Sequence, residues 1–267
     1  MALRLRASDW PLVVYDRRAA STAAAREAGA SVAPSVAAVA RDASVICICV
    51  VDGPQLRSVV DEAEEALGPG KIVVVHSSVA PQVVREVDAI VRATGATLVD
   101  APVSGSRPAA DAGTLTIFAG GSAPDLAAID APLRCYAERI LAVGTVGAGQ
   151  AVKIANNVML HMNHLIALEA LRFARAEGLD ESAIIEAVNV STGRSWVTET
   201  WGLIDDMIFD HPQAGTAVLH SMMSKEIWQA VALSRDSLTA MPITAVGSQV
   251  SKSYFEEREA ELRERRR

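Results

Sequence analysis

Lys153 and Asn157 stand four residues apart in the run Val146-Gly147-Ala148-Gly149-Gln150-Ala151-Val152-Lys153-Ile154-Ala155-Asn156-Asn157. Residues at i and i+4 share a helix face, so an amine and an amide can point into one cleft while their apolar neighbours pack elsewhere. An amine so placed can give and take a proton, as general acid/base work requires. The same spacing also fits a solvated lysine and an amide near a helix start, so the rest of the chain must decide. Asp100-Ala101-Pro102-Val103-Ser104-Gly105-Ser106 reads as a strand end running into a turn. Its hydroxyls and N–H groups suit a carboxylate, with an ordinary Ser/Gly turn as the alternative. Gly113-Thr114-Leu115-Thr116-Ile117-Phe118-Ala119-Gly120-Gly121 reads as a strand bounded by glycines. Ser221-Met222-Met223-Ser224-Lys225-Glu226 sets a lysine on a later helix, where a surface role is the alternative. His161-Met162-Asn163-His164 has ligand-like spacing but lacks the acid and third ligand of a zinc site. No metal is expected there, and both histidines can instead be packed polar residues continuing the Lys153–Asn157 stripe.

The elements that must position these residues fall into two halves. Short β-branched runs at 12–15, 45–51, 72–75, 97–99, 115–119 and 140–143 alternate with helical stretches at 19–28, 54–67, 81–93 and 123–131. Nearly continuous hydrophobicity in the strands implies burial on both faces, as in a parallel sheet covered by helices. This is the doubly wound α/β pattern, in which ligands bind beyond the carboxyl ends of the strands. After Gly149 the periodicity is helical almost to the end. Residues 150–177 contain neither Pro nor Gly and can form one helix of about 40 Å. Further helices are expected at 182–190, 196–207, 218–235 and 243–263, with Pro212 and Pro242 as punctuation. Trp196, Trp201 and Phe209 read as core packing first and as substrate contacts second. The expected architecture is a Rossmann-type α/β domain over 1–146, followed by an all-α domain over 147–267 built around the long interdomain helix.

With 267 residues, half of them apolar, the chain can bury a substantial core. Its 25 Lys and Arg against 32 Asp and Glu leave a net charge of −7, which argues against nucleic acid as a partner. The mixed-charge end, 256–267, reads as a solvated helix. Three cysteines are too few for a disulfide framework, and Cys47 and Cys49, alternating in an apolar run, read as buried thiols in a reducing compartment, the cytoplasm. Nothing resembles a membrane-spanning segment or a signal peptide, so no membrane partner is expected.

In combination and in order, the D-A-P-V-S-G run, the G-T-L-T-x-x-x-G-G strand and the G-x-G-x-x-x-K-x-x-N-N helix start resemble the β-hydroxyacid dehydrogenase family. This group contains 3-hydroxyisobutyrate dehydrogenase and the related semialdehyde reductases. The resemblance covers essentially the whole chain. It implies an oxidoreductase interconverting a short β-hydroxyacid and its semialdehyde with NAD or NADP, working as a homodimer or homotetramer through the helical domain. It implies that Lys153 is the general acid/base and that Asn157 orients the substrate. Ser104, Gly105 and Ser106 would hold the substrate carboxylate, and Lys225 would lie against the cofactor. Glu226 stands where the family usually has Asp, and Ser106 where it often has glycine. Asp16, with Arg17 and Arg18 after the strand at 12–15, looks like the ribose-contacting acid. The acid tips the choice toward NAD, whereas the arginines suit the 2′-phosphate of NADP. Val50, Val51 and Ser78 fall where the family lines its nicotinamide cofactor, with strand termini and a helix N-cap at Ser78 as the alternative.

The family's first strand and its G-x-G-x-x-G turn have no counterpart, because Met1-Ala2-Leu3-Arg4-Leu5 reads as the interior of a helix. The expectation is that the upstream DNA continues in frame into that unit, through a start codon set too late. The alternative, from a different class, is a catalytically impaired scaffold or binding protein on the same fold. Retention of Lys153, Asn157, Ser104 and Lys225 together favours the enzyme.

Overall fold

The computed structural model describes residues 1–210 and 215–267, with the side chains of 208–222 and 236 outside the description. Pro212 and the side chains of Phe209, Ser221 and Met222 therefore lie outside the described residues. The chain divides into two compact units, Met1–Lys153 and Ile154–Arg267.

The first unit begins with α1 (Ala2–Ala7), β1 (Val13–Val14), α2 (Ala23–Glu27), β2 (Ser31–Val32) and α3 (Val36–Asp42). It continues through β3 (Val45–Ile48), α4 (Gly53–Ala63), β4 (Ile72–Val75), α5 (Pro81–Ala93) and β5 (Thr97–Asp100). Then come β6 (Val103–Ser104), α6 (Ser106–Ala112), β7 (Leu115–Gly120), α7 (Ala123–Leu133) and β8 (Ala137–Gly144). Of these, β2, α3, β6 and α6 were not anticipated. The two strands span two residues each, too short for a period-two pattern to register. Helix α3 had a legible start, since the Ser35 hydroxyl accepts the Ala38 N–H as an N-cap.

The sheet departs from the all-parallel expectation. Strands β3, β4 and β5 run parallel, but β7 meets β5 and β6 antiparallel along one edge and carries β8 parallel along the other. The cause is the connection from β6, which returns to β7 through the short helix α6 alone, whereas a parallel entry needs a full crossover. Strands β1 and β2 pair with each other in a separate two-stranded parallel sheet. Alternating residues feed two cores. Ile46, Ile48, Val73, Val75 and Leu98 face Leu56, Val60, Val84, Val87 and Val91 of α4 and α5. Val74, Val99, Leu115 and Ile117 face Ile129 and Leu133 of α7, together with Tyr136. Cys47 and Cys49 do share one side of β3, but they are exposed rather than buried. The helices covering β3 pack on its Ile46/Ile48 side, which leaves the thiol side accessible.

His76, just after β4, is buried and fully bonded. Its Nδ1–H donates to Ala101 O at 2.7 Å, and Nε2 accepts the Tyr136 hydroxyl at 2.9 Å. This is a neutral imidazole. Burial outweighs the Ala101 bond and pushes the group down from 6.5 to about 4.

The second unit contains most of the long helix α8 (Ala148–Ala176), then α9 (Glu181–Asn189), α10 (Trp196–Glu199), α11 (Leu203–Asp210), α12 (Gly215–Asp236) and α13 (Pro242–Arg265). The helix expected over 196–207 is two helices. A capping box between Ser195 and Thr198 starts α10, and the Thr200 hydroxyl bonds back to Trp196 O where the helix stops. Leu165 and Leu168 of α8, Met223 and Ile227 of α12 and Phe255 of α13 form the core. Beside it lies Arg258, 3% exposed, which donates to Asp205 Oδ2 at 2.7 Å and to both carboxylate oxygens of Glu181. Burial alone would raise the Glu181 carboxyl, but hydrogen bonds from Arg258, Trp201 and Arg265 prevail and hold it near about 2.

Two outcomes follow from these buried groups. As pH falls from 6.5 toward 4, the unfolded chain takes up a proton on His76 that the folded chain refuses, so stability present above 6.5 drains away at about 1.4 kcal/mol per pH unit. Urea unfolding at pH 7 and pH 5 should show this slope, and His76→Gln, which carries a donor and an acceptor but does not titrate, should flatten it. In the second unit, Arg258→Met should cost about 3–5 kcal/mol, because it takes the charged partner from the buried Asp205 carboxylate and leaves Glu181 only its bonds from Trp201 and Arg265. A loss below about 1 kcal/mol in denaturant titration would mean that the network is no more than a surface ion pair.

Candidate active site

Asp100 closes β5 with its side chain fully buried. Its Oδ1 accepts the Gly147 N–H and its Oδ2 accepts the Gln150 N–H, each at 2.8 Å. Both donors belong to the start of α8, where backbone N–H groups lack helical partners and favour negative charge. Burial pushes the Asp100 carboxyl up from its ordinary value, against the pull of N–H groups from Gly147, Gln150 and Gly149. Those partners are donors, so the geometry is built for the ionised form.

Gln150, also fully buried, extends the junction to β4. Its Oε1 accepts the Val79 N–H and its Nε2 donates to Ser77 O, each at 2.9 Å. The Ser77 hydroxyl in turn accepts the Val50 N–H at 2.6 Å. The loops after β3, β4 and β5 thus converge on the start of α8, at the carboxyl ends of parallel strands where α/β folds bind ligands. The motif glycines follow from this crowding. A Cβ on Gly149 would meet Phe118 O and lie 2.8 Å from Asp100 Oδ2, and a Cβ on Gly120 would lie 2.7 Å from Thr145 O.

Lys153, half-buried, sits one helical turn beyond Gly149 on α8. From Asp100 the chain runs in the other direction through buried Ala101 and Pro102 to Ser104, half-buried on β6 and paired in register with Thr116. Ser104 is therefore in a short strand rather than a turn. Gly105, at φ 126°, and Ser106, at φ 60°, make the bend into α6, and both are exposed. Ser106 holds a backbone conformation that favours glycine, a cost of about 1 kcal/mol or more. The backbone thus bears the replacement of the glycine that the family often has there.

The remaining expected site residues lie as follows. Val50 is half-buried through its bond to Ser77, and Val51 is 68% exposed in the loop before α4. Ser78 is half-buried and is not a helix cap, since Ala80 caps α5 and Pro81 opens it. Asp16 and Arg17 are exposed beyond β1, on the separate two-stranded sheet, and Asp16 Oδ1 accepts the Arg18 N–H at 2.7 Å. A carboxylate at a strand's carboxyl end beside Arg17 and Arg18 is a donor and acceptor set that fits a nucleotide ribose or its phosphate. In the second unit Asn157 is buried on α8, and Lys225 is exposed on α12. His161 and His164 are packed, His161 against Glu226 at 2.7 Å and His164 stacked on Phe255. Asp100, Gln150 and Ser77 were missed as functional residues. All three stood beside the motifs, but only their bonding partners reveal what they do.

Residues 1–144 match the family model described as the NAD binding domain of 6-phosphogluconate dehydrogenase. Residues 147–263 match that described as NAD-binding of NADP-dependent 3-hydroxyisobutyrate dehydrogenase. The chain belongs to the β-hydroxyacid dehydrogenase family. By family it is an NAD(P)-dependent oxidoreductase, and both models are of NAD-binding domains, the cofactor class read from the sequence. It is 31% identical to mitochondrial 3-hydroxyisobutyrate dehydrogenase of Mus musculus over 248 residues, 90% of this chain and 72% of the mouse protein. It is 30% identical over 204 residues to the probable mitochondrial 3-hydroxyisobutyrate dehydrogenase of Dictyostelium discoideum, of whose length it spans 64%. The structure of Mycobacterium tuberculosis 3-hydroxyisobutyrate dehydrogenase with L-serine shares the fold. Its TM-score is 0.85 at 22% identity, covering 95% of this chain and 88% of that one. A putative oxidoreductase from Mycobacterium avium 104 gives a TM-score of 0.66 at 27% identity, covering 95% of this chain and 94% of that one.

Gly149→Ala should cost about 1–3 kcal/mol, because its Cβ cannot fit between Phe118 O and Asp100 without moving α8. Gly193→Ala is the control, since a Cβ there meets Val188 Cγ1 at an ordinary 3.7 Å. Equal unfolding midpoints for the two variants would refute the crowding argument.

Proposed function

We propose that this chain interconverts a short β-hydroxyacid and its semialdehyde, in the manner of 3-hydroxyisobutyrate dehydrogenase. The observation that carries the reading is the Asp100 junction. It ties the strand leading to Ser104 to the first turns of the helix bearing Lys153, so a substrate anchor and a proton-transfer group are set from one point. A bound nicotinamide supplies or accepts the hydride. Lys153 takes the proton from the substrate hydroxyl during oxidation and returns it to the carbonyl oxygen during reduction. Ser104, with the N–H groups of Gly105 and Ser106, holds the substrate carboxylate, and Asn157 orients the reacting end. Asp16 and Arg17 meet the adenosine ribose, Val50, Val51 and Ser78 line the nicotinamide side, and Lys225 lies against the cofactor. NAD is the preferred form, through the Asp16 carboxylate.

The helical unit supports self-association. Met159 and Ile166 of α8 and Ile243 and Val246 of α13 are each more than half exposed, beside an apolar groove of about 300 Å³ that includes Met162 and Tyr254. A homodimer or homotetramer would cover this face. No described helix is long and apolar enough to cross a membrane, and a cytoplasmic setting suits three free cysteines.

Lys153→Ala should lower kcat for oxidation of 3-hydroxyisobutyrate by at least about a hundredfold, with little change in KM. Parallel assays with the corresponding neutral alcohol should give a far lower kcat/KM than the acid. Near-normal turnover by the variant would remove Lys153 from the reaction, and equal use of acid and alcohol would remove the carboxylate site at Ser104.

A further inference from the structure

The buried stripe of α8 changes character along its length. Leu168 and Leu165 pack into the apolar seam with Met223 and Ile227 of α12. One and two turns toward the start of the helix, the same stripe carries His161 and Asn157, 3% and 6% exposed. Apolar residues at those positions would extend the seam without the cost of desolvating an imidazole and an amide. His161 Nε2–H donates to Glu226 Oε2 on α12 at 2.7 Å, and its buried Nδ1 has no hydrogen-bond partner among the described residues. Glu226 sits among the residues that key α12 to the core, beside Ile227 and between Met223 and Ala230, all buried. Its other neighbour, Lys225, turns outward.

We propose that His161 and Glu226 form a positioning clamp that fixes the rotation of α12 against α8, and with it the directions of Lys225 and Asn157. The clamp rests on the dehydrogenase reading for what Lys225 and Asn157 do. Consecutive residues of a helix point about 100° apart, so a turn of α12 that released Glu226 would swing Lys225 with it. The length of the acid matters. An aspartate at 226 would fall short of His161 by about 1.5 Å, one carbon–carbon bond. The Glu that stands where the family usually has Asp thus has the length that His161 opposite it requires. Neither residue touches the reacting atoms.

The test uses the full chain and three variants. His161→Phe keeps the ring and removes both nitrogens, His161→Gln keeps a donor for Glu226, and Glu226→Asp shortens the acid. Each is measured by thermal unfolding, by NADH and NADPH fluorescence titration, and by steady-state reduction of the semialdehyde of 3-hydroxyisobutyrate. His161→Phe should unfold within about 3 °C of the parent, because it also removes a buried unpartnered nitrogen. Its cofactor Kd and KM should rise at least about fivefold while kcat at saturation stays within about twofold. Glu226→Asp should behave likewise, and His161→Gln should recover most of the cofactor affinity. Unchanged cofactor Kd in His161→Phe would overturn the clamp, as would losses in all three variants that merely track the unfolding temperature. Full turnover by Lys153→Ala would defeat the dehydrogenase reading while leaving the clamp readable in the NADH and NADPH titrations. Failure of the parent chain to bind either nucleotide would overturn both.

Discussion

A carboxylate buried in protein is costly unless it is surrounded by donors, and Asp100 meets that condition only because a helix begins where β5 ends. The N–H groups of Gly147 and Gln150 are otherwise orphans of α8, so each side of the contact offsets part of the other's penalty. The result is a fixed contact between the end of β5 and residues 147–150. Everything proposed for Ser104 and Lys153 depends on that contact, because one follows Asp100 along the chain and the other follows Gln150. Gln150 then carries the same constraint to Ser77 and Val79, and Ser77 carries it to Val50. A handful of buried polar contacts thus sets three loops and a helix start.

This junction explains why three separated motifs recur together. Asp100 opens the D-A-P-V-S-G run, Gly120 closes the glycine-bounded strand, and Gly149 belongs to the G-x-G before Lys153. In space they are mutual neighbours, and the glycines leave the room that the carboxylate occupies. The motifs were legible in the sequence, as were the strands at Ile72–Val75 and the helix at Pro81–Ala93, because hydrophobic period and turn residues register locally. The convergence was not legible. A buried Asp after Thr97, Leu98 and Val99 looks like any strand terminus, and its donors lie 47 and 50 residues away.

The same limit accounts for the sheet. Burial on both faces was readable from Val- and Ile-rich runs, but strand direction was not, because direction depends on the route of the connection and not on the strand's own residues. The exposure of Cys47 and Cys49 has a related origin. Alternation placed them on one side of β3 correctly, but whether anything covers that side is a property of the neighbouring elements. The length of α8 followed from the absence of Pro and Gly over 150–177, whereas the break between α10 and α11 did not register. Arg258 escaped notice, since a mixed-charge helix end reads as solvated until Glu181 and Asp205 are seen facing it.

The two units solve the positioning problem with different chemistry, and the difference governs how freely each can vary. Around Asp100 the donors are backbone N–H groups. No substitution at 147 or 150 other than proline can abolish them, and pressure falls instead on residue size, which is why glycine fits at 149. Around His161 both partners are side chains on separate helices, so either can be exchanged if the other compensates in length or donor capacity. A backbone-to-carboxylate junction fits a part that tolerates little change, the start of α8 and the strand that leads to Ser104. A side-chain pair fits a part that can be retuned. In this chain the pair at 161 and 226 lies on the two helices bearing Asn157 and Lys225, so retuning there would reach both of those residues without disturbing the start of α8.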